Sequence, residues 1–180
     1  LDSEDEGQLF IGCAGGIDTT AVFTYNPSMT PDNYLYFSIS VKNLSGGHSG
    51  GDIHRGRGNA NRILARFLWQ MEQKYDMVMS SINGGNLRNA IPREASAVIG
   101  IHNEKEKVRV DLNLYIATIE EELSGIEPNF TMTMEHEQEP QHCIDRRTTN
   151  ALICALYACP HGVISMSRDM EGLVQTSTNL

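Results

Sequence analysis

The chain has no CxxC pair, no apolar run of membrane-spanning length and no excess of positive charge. Its four cysteines, Cys13, Cys143, Cys154 and Cys159, stand apart among apolar or helical neighbours. At 180 residues a core of useful size is available without cross-links, so they are read as buried free thiols in a reducing compartment rather than a disulfide framework. Fourteen Lys and Arg against 23 Asp and Glu leave a net charge of −9. That balance argues against a nucleic-acid partner, which needs a basic face to neutralise phosphate. The lack of about 20 consecutive apolar residues argues against a transmembrane helix. Internal repeats, low-complexity tracts and long linkers are missing too, and one domain or slightly more is expected. The chain starts at Leu1 without a methionine and stops at Leu180 within a predicted strand. The expectation is therefore a piece of a longer protein, for which a missing signal peptide says little.

What is present is a run of alternating and helical patterns. Gln8 to Ala14 and Asp18 to Asn26 read as strands, with a turn at Asn26-Pro27 and Pro31-Asp32-Asn33. Leu35, Phe37, Ile39 and Val41 alternate with polar or aromatic residues, the mark of a strand with one buried face. Ile63, Leu64, Phe67, Leu68, Met71 and Tyr75 fall at helical spacing. Residues 77–82 and 95–101 read as strands. Asn103 with Glu106 resembles a capping box opening a helix whose stripe is Val108, Leu112, Tyr115, Ile119 and Leu123. Residues 130–135 form another strand, and 145–159 a helix apolar on most sides from Ala151 to Ala158. Residues 163–166 and 173–178 close as two strands. Strands in runs, broken by three helices, predict an α+β fold: an antiparallel sheet with the helices on one face.

The densest chemistry lies in Gly46-Gly47-His48-Ser49-Gly50-Gly51-Asp52-Ile53-His54-Arg55-Gly56-Arg57-Gly58-Asn59-Ala60-Asn61. Glycines permit unusual backbone and close approach, and His48 is a group able to hydrogen-bond a ligand near neutral pH. The bland alternative is a loop histidine with a local backbone partner, and composition alone does not separate the two. His48 and His54, six apart on an irregular loop, do not have the spacing of a helical zinc pair. Ser49, His48 and Asp52 suggest a hydrolytic triad only superficially, because sequence neighbours seldom reach that geometry. A second unusual loop runs from Gly84 to Glu94. Asn89 there offers both donor and acceptor, and Arg88 and Arg93 are either surface charges or carboxylate ligands.

Taken together, Leu1-Asp2-Ser3-Glu4-Asp5-Glu6-Gly7, Gly12-Cys13-Ala14-Gly15-Gly16, the Gly47-His48-Ser49-Gly50 loop through Asn61, Arg88-Asn89-Ala90-Ile91-Pro92-Arg93-Glu94 and Gly172 to Leu180 resemble the bacterial Xaa-His dipeptidases. The resemblance runs through the whole chain in order. It implies a two-zinc hydrolase built from a catalytic domain and an inserted lid, or dimerisation, domain. Residues 1–12 would then be a remnant of the catalytic domain and 13–180 the lid, ferredoxin-like and truncated at its C-terminus. Asp2 would be one zinc ligand, with the other ligands and the general base outside this chain, so the piece alone is not expected to hold zinc or to turn over. His48 would stabilise the oxyanion and Asn89 would contact substrate. A homodimer, a cytoplasmic location and an Xaa-His dipeptide substrate are implied as well. Two alternatives remain open: the lid of another zinc peptidase or amidohydrolase of the same clan, and a free-standing dimerisation or binding module.

Overall fold

The computed structural model describes residues 6–7 and 15–180. Asp2, Cys13 and the strand expected over Gln8 to Ala14 lie outside the described residues.

In chain order the elements are β1 (Pro27–Ser28), β2 (Tyr34–Lys42), β3 (Gly47–His48), a 3₁₀ turn (Ile53–Arg55), α1 (Ala60–Lys74), β4 (Met77–Gly84), β5 (Ala90–Ile91), β6 (Ala95–His102), α2 (Lys105–Glu122), β7 (Thr131–His136), β8 (Cys143–Ile144), α3 (Arg146–Ala158), β9 (Gly162–Met166) and β10 (Val174–Thr178). Six strands form one antiparallel sheet in the order β1-β8-β4-β6-β2-β7. Within it, β2-α1-β4-β6-α2-β7 makes the split βαβ arrangement of a ferredoxin-like layer, as expected. The fold is α+β with three helices against the sheet.

Alternation on β2 sends Phe37, Ile39 and Val41 to the helical side, where all three are buried. Their partners on β6 are Ile99, Ala97 and Ala95, so both central strands present apolar groups to the same face. A bulge between Met79 and Ser81 resets the phase of β4, and Ile82 comes opposite Ala97 on that face. α1 lies on this surface with Ile63, Leu64, Phe67, Leu68 and Met71 buried. Each such side chain contributes roughly 1.5–3 kcal/mol by leaving water. α2 adds the expected stripe of Val108, Leu112, Tyr115 and Ile119.

Four local expectations are corrected. Residues 15–26 form no strand, and Ile17 and Val22 are exposed, because no neighbouring strand offers them a ladder. The turn expected at Asn26-Pro27 instead leads into β1, which pairs with β8. The capping box at Asn103 does not form. Asn103 takes a left-handed φ of 51° and stays outside α2, whose N-cap is Glu104 without a side-chain bond. Of the described cysteines only Cys143 is buried, and burial pushes its thiol pKa up. Cys154 is exposed and Cys159 half-buried, since α3 buries Thr149 and Ile153 and leaves most of its apolar residues open.

Candidate functional site

The glycine loop folds as a short ladder strand followed by a tight turn. β3 pairs antiparallel with β5, placing Gly47 opposite Ile91 and His48 opposite Ala90. One step further, the Ser49 N–H donates to the Asn89 carbonyl at 2.8 Å. Two loops 41 residues apart in sequence are thereby joined at the two residues singled out from it, His48 and Asn89. Both line one open cleft of about 940 Å³, floored by the polar face of the sheet at Ser38, Ser40 and Ser96.

The orientation of the imidazole is fixed by backbone. His48 Nδ1 accepts the N–H groups of Gly50 and Gly51, each at 3.1 Å. An accepting Nδ1 carries no proton, which assigns the ring hydrogen to Nε2. The exposed ring therefore offers the cleft a single Nε2–H donor. Glycine suits this approach: an added Cβ at Gly50 would sit a tight 3.3 Å from both Cε1 and Nδ1 of His48 and would press on the ring. Gly47, at φ 141°, is more constrained, because a side chain there would run into Arg57 and lie 2.7 Å from Asp52 Oδ2.

Asp52 braces the turn from beneath. Its Oδ2 accepts the His48 N–H at 2.9 Å, and its own N–H donates to the His48 carbonyl at 2.9 Å. Arg55 Nε stands 3.0 Å from Oδ1 and Arg57 3.5 Å from Oδ2. The backbone donor first, then the two guanidinium groups, hold its carboxyl below the usual carboxylate range despite some desolvation. This geometry removes the triad. In a triad the aspartate accepts from Nδ1–H, whereas here Asp52 binds main chain and Nδ1 is itself an acceptor.

The Asn89 loop is held from three directions. The Ala60 N–H, at the start of α1, donates to the Pro92 carbonyl at 3.0 Å. Gly85 N–H donates to the Glu94 carbonyl at 3.3 Å. Asn179, just beyond β10, donates through Nδ2 to the Ala90 carbonyl at 2.9 Å. Arg88 pairs with Asp18 at 2.8 Å, a fully exposed contact of small consequence. Behind the loops, the buried Asn59 caps α1 through Oδ1, which accepts the Arg62 N–H at 3.2 Å. Asn59 Nδ2 meets His161 Nδ1 at 3.0 Å and the Leu180 carbonyl at 2.9 Å. Burial first, and then Arg62, push the His161 pKa down to about 4.

Among the described residues, no group of three or more His, Cys, Asp or Glu is placed to hold a metal. His54 is exposed on the 3₁₀ turn and belongs with His48 to no such group. No described helix is long and apolar enough to cross a membrane.

Residues 39–127, from within β2 to the turn after α2, match the M20 family described as a peptidase dimerisation domain. The chain carries an M20 peptidase dimerisation domain. Over 180 residues it is 39% identical to the cytosol non-specific dipeptidase of Escherichia coli (strain K12), covering 99% of this chain and 37% of that protein. The crystal structure of aminoacylhistidine dipeptidase from Vibrio alginolyticus superposes with a TM-score of 0.85 at 37% identity, covering 87% of this chain and 32% of that one. The chain thus spans about a third of the length of the relatives it matches. Both relatives are dipeptidases, so the dimerisation domain is one from a dipeptidase family.

Sequence reasoning singled out His48 and Asn89, which the structure brings into one cleft, but missed what holds them. Asp52 was visible only as a false triad member. Asn179 sits in the Gly172–Leu180 segment, whose residue pattern pointed to a family without showing a role. Asn59, immediately before a helical pattern, carried the ordinary N-cap signal.

Proposed function

We propose that this chain is the lid and dimerisation part of a metal-dependent dipeptidase that cleaves Xaa-His dipeptides, with residues 1–12 belonging to the catalytic domain and 13–180 to the lid. The observation that carries the reading is the meeting of His48 and Asn89 in one cleft of a dimerisation domain, with the His48 ring locked as an Nε2–H donor. A fixed N–H aimed where negative charge develops is the requirement for stabilising the tetrahedral intermediate of acyl transfer. The donor is held by backbone and does not reorganise during the reaction. Asn89, with a donor and an acceptor on one amide, would hold the substrate beside it.

Zinc, as two ions, would be held by the catalytic domain, with Asp2 contributing one ligand. The described residues do not supply a metal site, so no chemical step is assigned to an ion on this part of the chain. The partner implied by a dimerisation domain is a second copy of the same protein. The cytosolic relative supports a cytoplasmic location. The non-specific character in that relative's name favours a second reading, a broader range of dipeptides.

The test is an assay of the full-length protein against a panel of dipeptides before and after chelation. Hydrolysis of Xaa-His substrates that is lost with chelator and restored by zinc supports the proposal. Turnover indifferent to chelation, or no dipeptide hydrolysis, contradicts it. Equal rates on dipeptides lacking histidine select the broader reading.

A further inference from the structure

Glu127 is a carboxylate buried where a carboxylate is costly. It lies in the turn after α2 and is only 5% exposed. A buried charge persists only when its oxygens are well hydrogen-bonded. Both are. Oε2 accepts the Ser45 N–H at 2.7 Å, and Oε1 accepts the Gly58 N–H at 2.9 Å.

These two donors are not neighbours. Ser45 and Gly58 stand on either side of the segment 46–57, which contains β3, His48, Asp52 and the 3₁₀ turn. One carboxylate therefore closes the base of the whole His48 loop. Its own main chain is secured to the helical layer, since Glu127 N–H donates to the Leu123 carbonyl at 3.0 Å and the Phe130 N–H donates back to Glu127 at 3.2 Å. The Gly58 backbone packs hard against this anchor. An added Cβ there would meet Leu44 at 3.0 Å and Leu123 at 3.1 Å. The bonds of Asp52 and Arg57 shape the loop from within. Glu127 fixes both its roots to the end of α2.

We propose that Glu127 is a positioning residue for His48, setting where the Nε2–H donor stands relative to the substrate without touching substrate itself. The inference rests on the oxyanion role proposed for His48. A displacement of about 1 Å at a reacting group costs roughly 10²-fold in rate, and a loop freed at both roots has room for that.

The test is a double-mutant cycle on the full-length protein, reading kcat and KM for an Xaa-His dipeptide together with metal content and melting temperature. Glu127→Gln keeps the shape but replaces one acceptor oxygen with an amide that faces a backbone N–H. It is expected to lower kcat by roughly ten- to a hundredfold with KM little changed. The double variant with His48→Ala is expected to be no slower than His48→Ala alone, because both changes remove one function. Normal turnover of Glu127→Gln, or losses that multiply in the double variant, would overturn the inference. Should Glu127→Gln fail to fold, Glu127→Asp, which keeps the charge and shortens the reach, carries the same cycle with the same two outcomes. Normal turnover of His48→Ala defeats the reading of His48 itself, and with it the inference. Impaired His48→Ala beside normal Glu127→Gln defeats the inference alone.

Discussion

The Asp52 carboxylate accepts the main-chain N–H of His48 at 2.9 Å, while the imidazole of the same residue turns to the amides of Gly50 and Gly51. The aspartate acts on the position of the strand and not on the chemistry of the ring. Asp52→Ala is therefore expected to lower turnover of the full-length protein sharply and the melting temperature only modestly, because its bonds brace one turn and not the core. Its pKa is depressed in the folded state, so its contribution is present above the unfolded carboxylate value and is lost as pH falls through the folded one. Loosening of the loop should appear only in acid, below the ordinary carboxylate range. Hydrogen exchange of the His48 amide as a function of pH checks this.

Gly47→Ala places a side chain at φ 141° against Asp52 and Arg57. Backbone strain of this kind costs about 1–3 kcal/mol. The expected result is a lower melting temperature together with lost activity. Gly50→Ala is milder: its Cβ at 3.3 Å from the ring pushes the imidazole by a few tenths of an ångström. It should depress kcat and spare stability, and paired thermal and kinetic measurements separate the two.

Burial holds His161 neutral, with a pKa near 4 against an ordinary 6.5. Between those values the unfolded chain binds more protons than the folded one, so stability rises with pH across that window and falls as pH drops from 6.5 towards 4. Below about 4 this contribution no longer changes. Thermal unfolding recorded from pH 7 to 4 should show the slope, and His161→Gln should flatten it. An unchanged slope in the variant would place the acid sensitivity elsewhere.

Asn59→Ala removes the N-cap of α1 and leaves Nδ1 of His161 with only the longer contact to the Leu180 N–H, at 3.4 Å. Loss of a cap together with a buried hydrogen bond costs about 1–3 kcal/mol. The variant should unfold at lower denaturant with an unchanged m-value.

Much of the fold was legible because periodicity reports burial. The strands β2, β4, β6 and β7 came out within two residues of their observed ends, and the stripes of α1 and α2 begin three residues inside their helices and end on the C-caps Tyr75 and Leu123. Their side chains repeat against one core, so the pattern repeats in sequence. Residues 18–26 misled for the complementary reason: Thr, Val, Phe and Tyr favour a strand only where a partner strand exists, and none borders them. Asn103 misled because the same short amide that caps a helix also tolerates the left-handed turn it occupies here. In the site, the residue types at His48 and Asn89 were conspicuous, but their meeting rests on the two-residue strands β3 and β5, too short to leave a period. The clamps at Glu127 and Asn179 reach 69 to 89 residues along the chain to backbone groups. A side chain bound to main chain leaves no complementary residue in the sequence to read.

The central claim is that His48 supplies a fixed hydrogen-bond donor to the reaction. It is tested most directly by His48→Ala in the full-length protein, assayed for Xaa-His hydrolysis with zinc at matched metal content and melting temperature. The expected result is a fall in kcat of roughly 10²–10³, the usual loss on removing one oxyanion donor. Turnover within a few-fold of the parent would contradict it and leave His48 as architecture of the glycine loop.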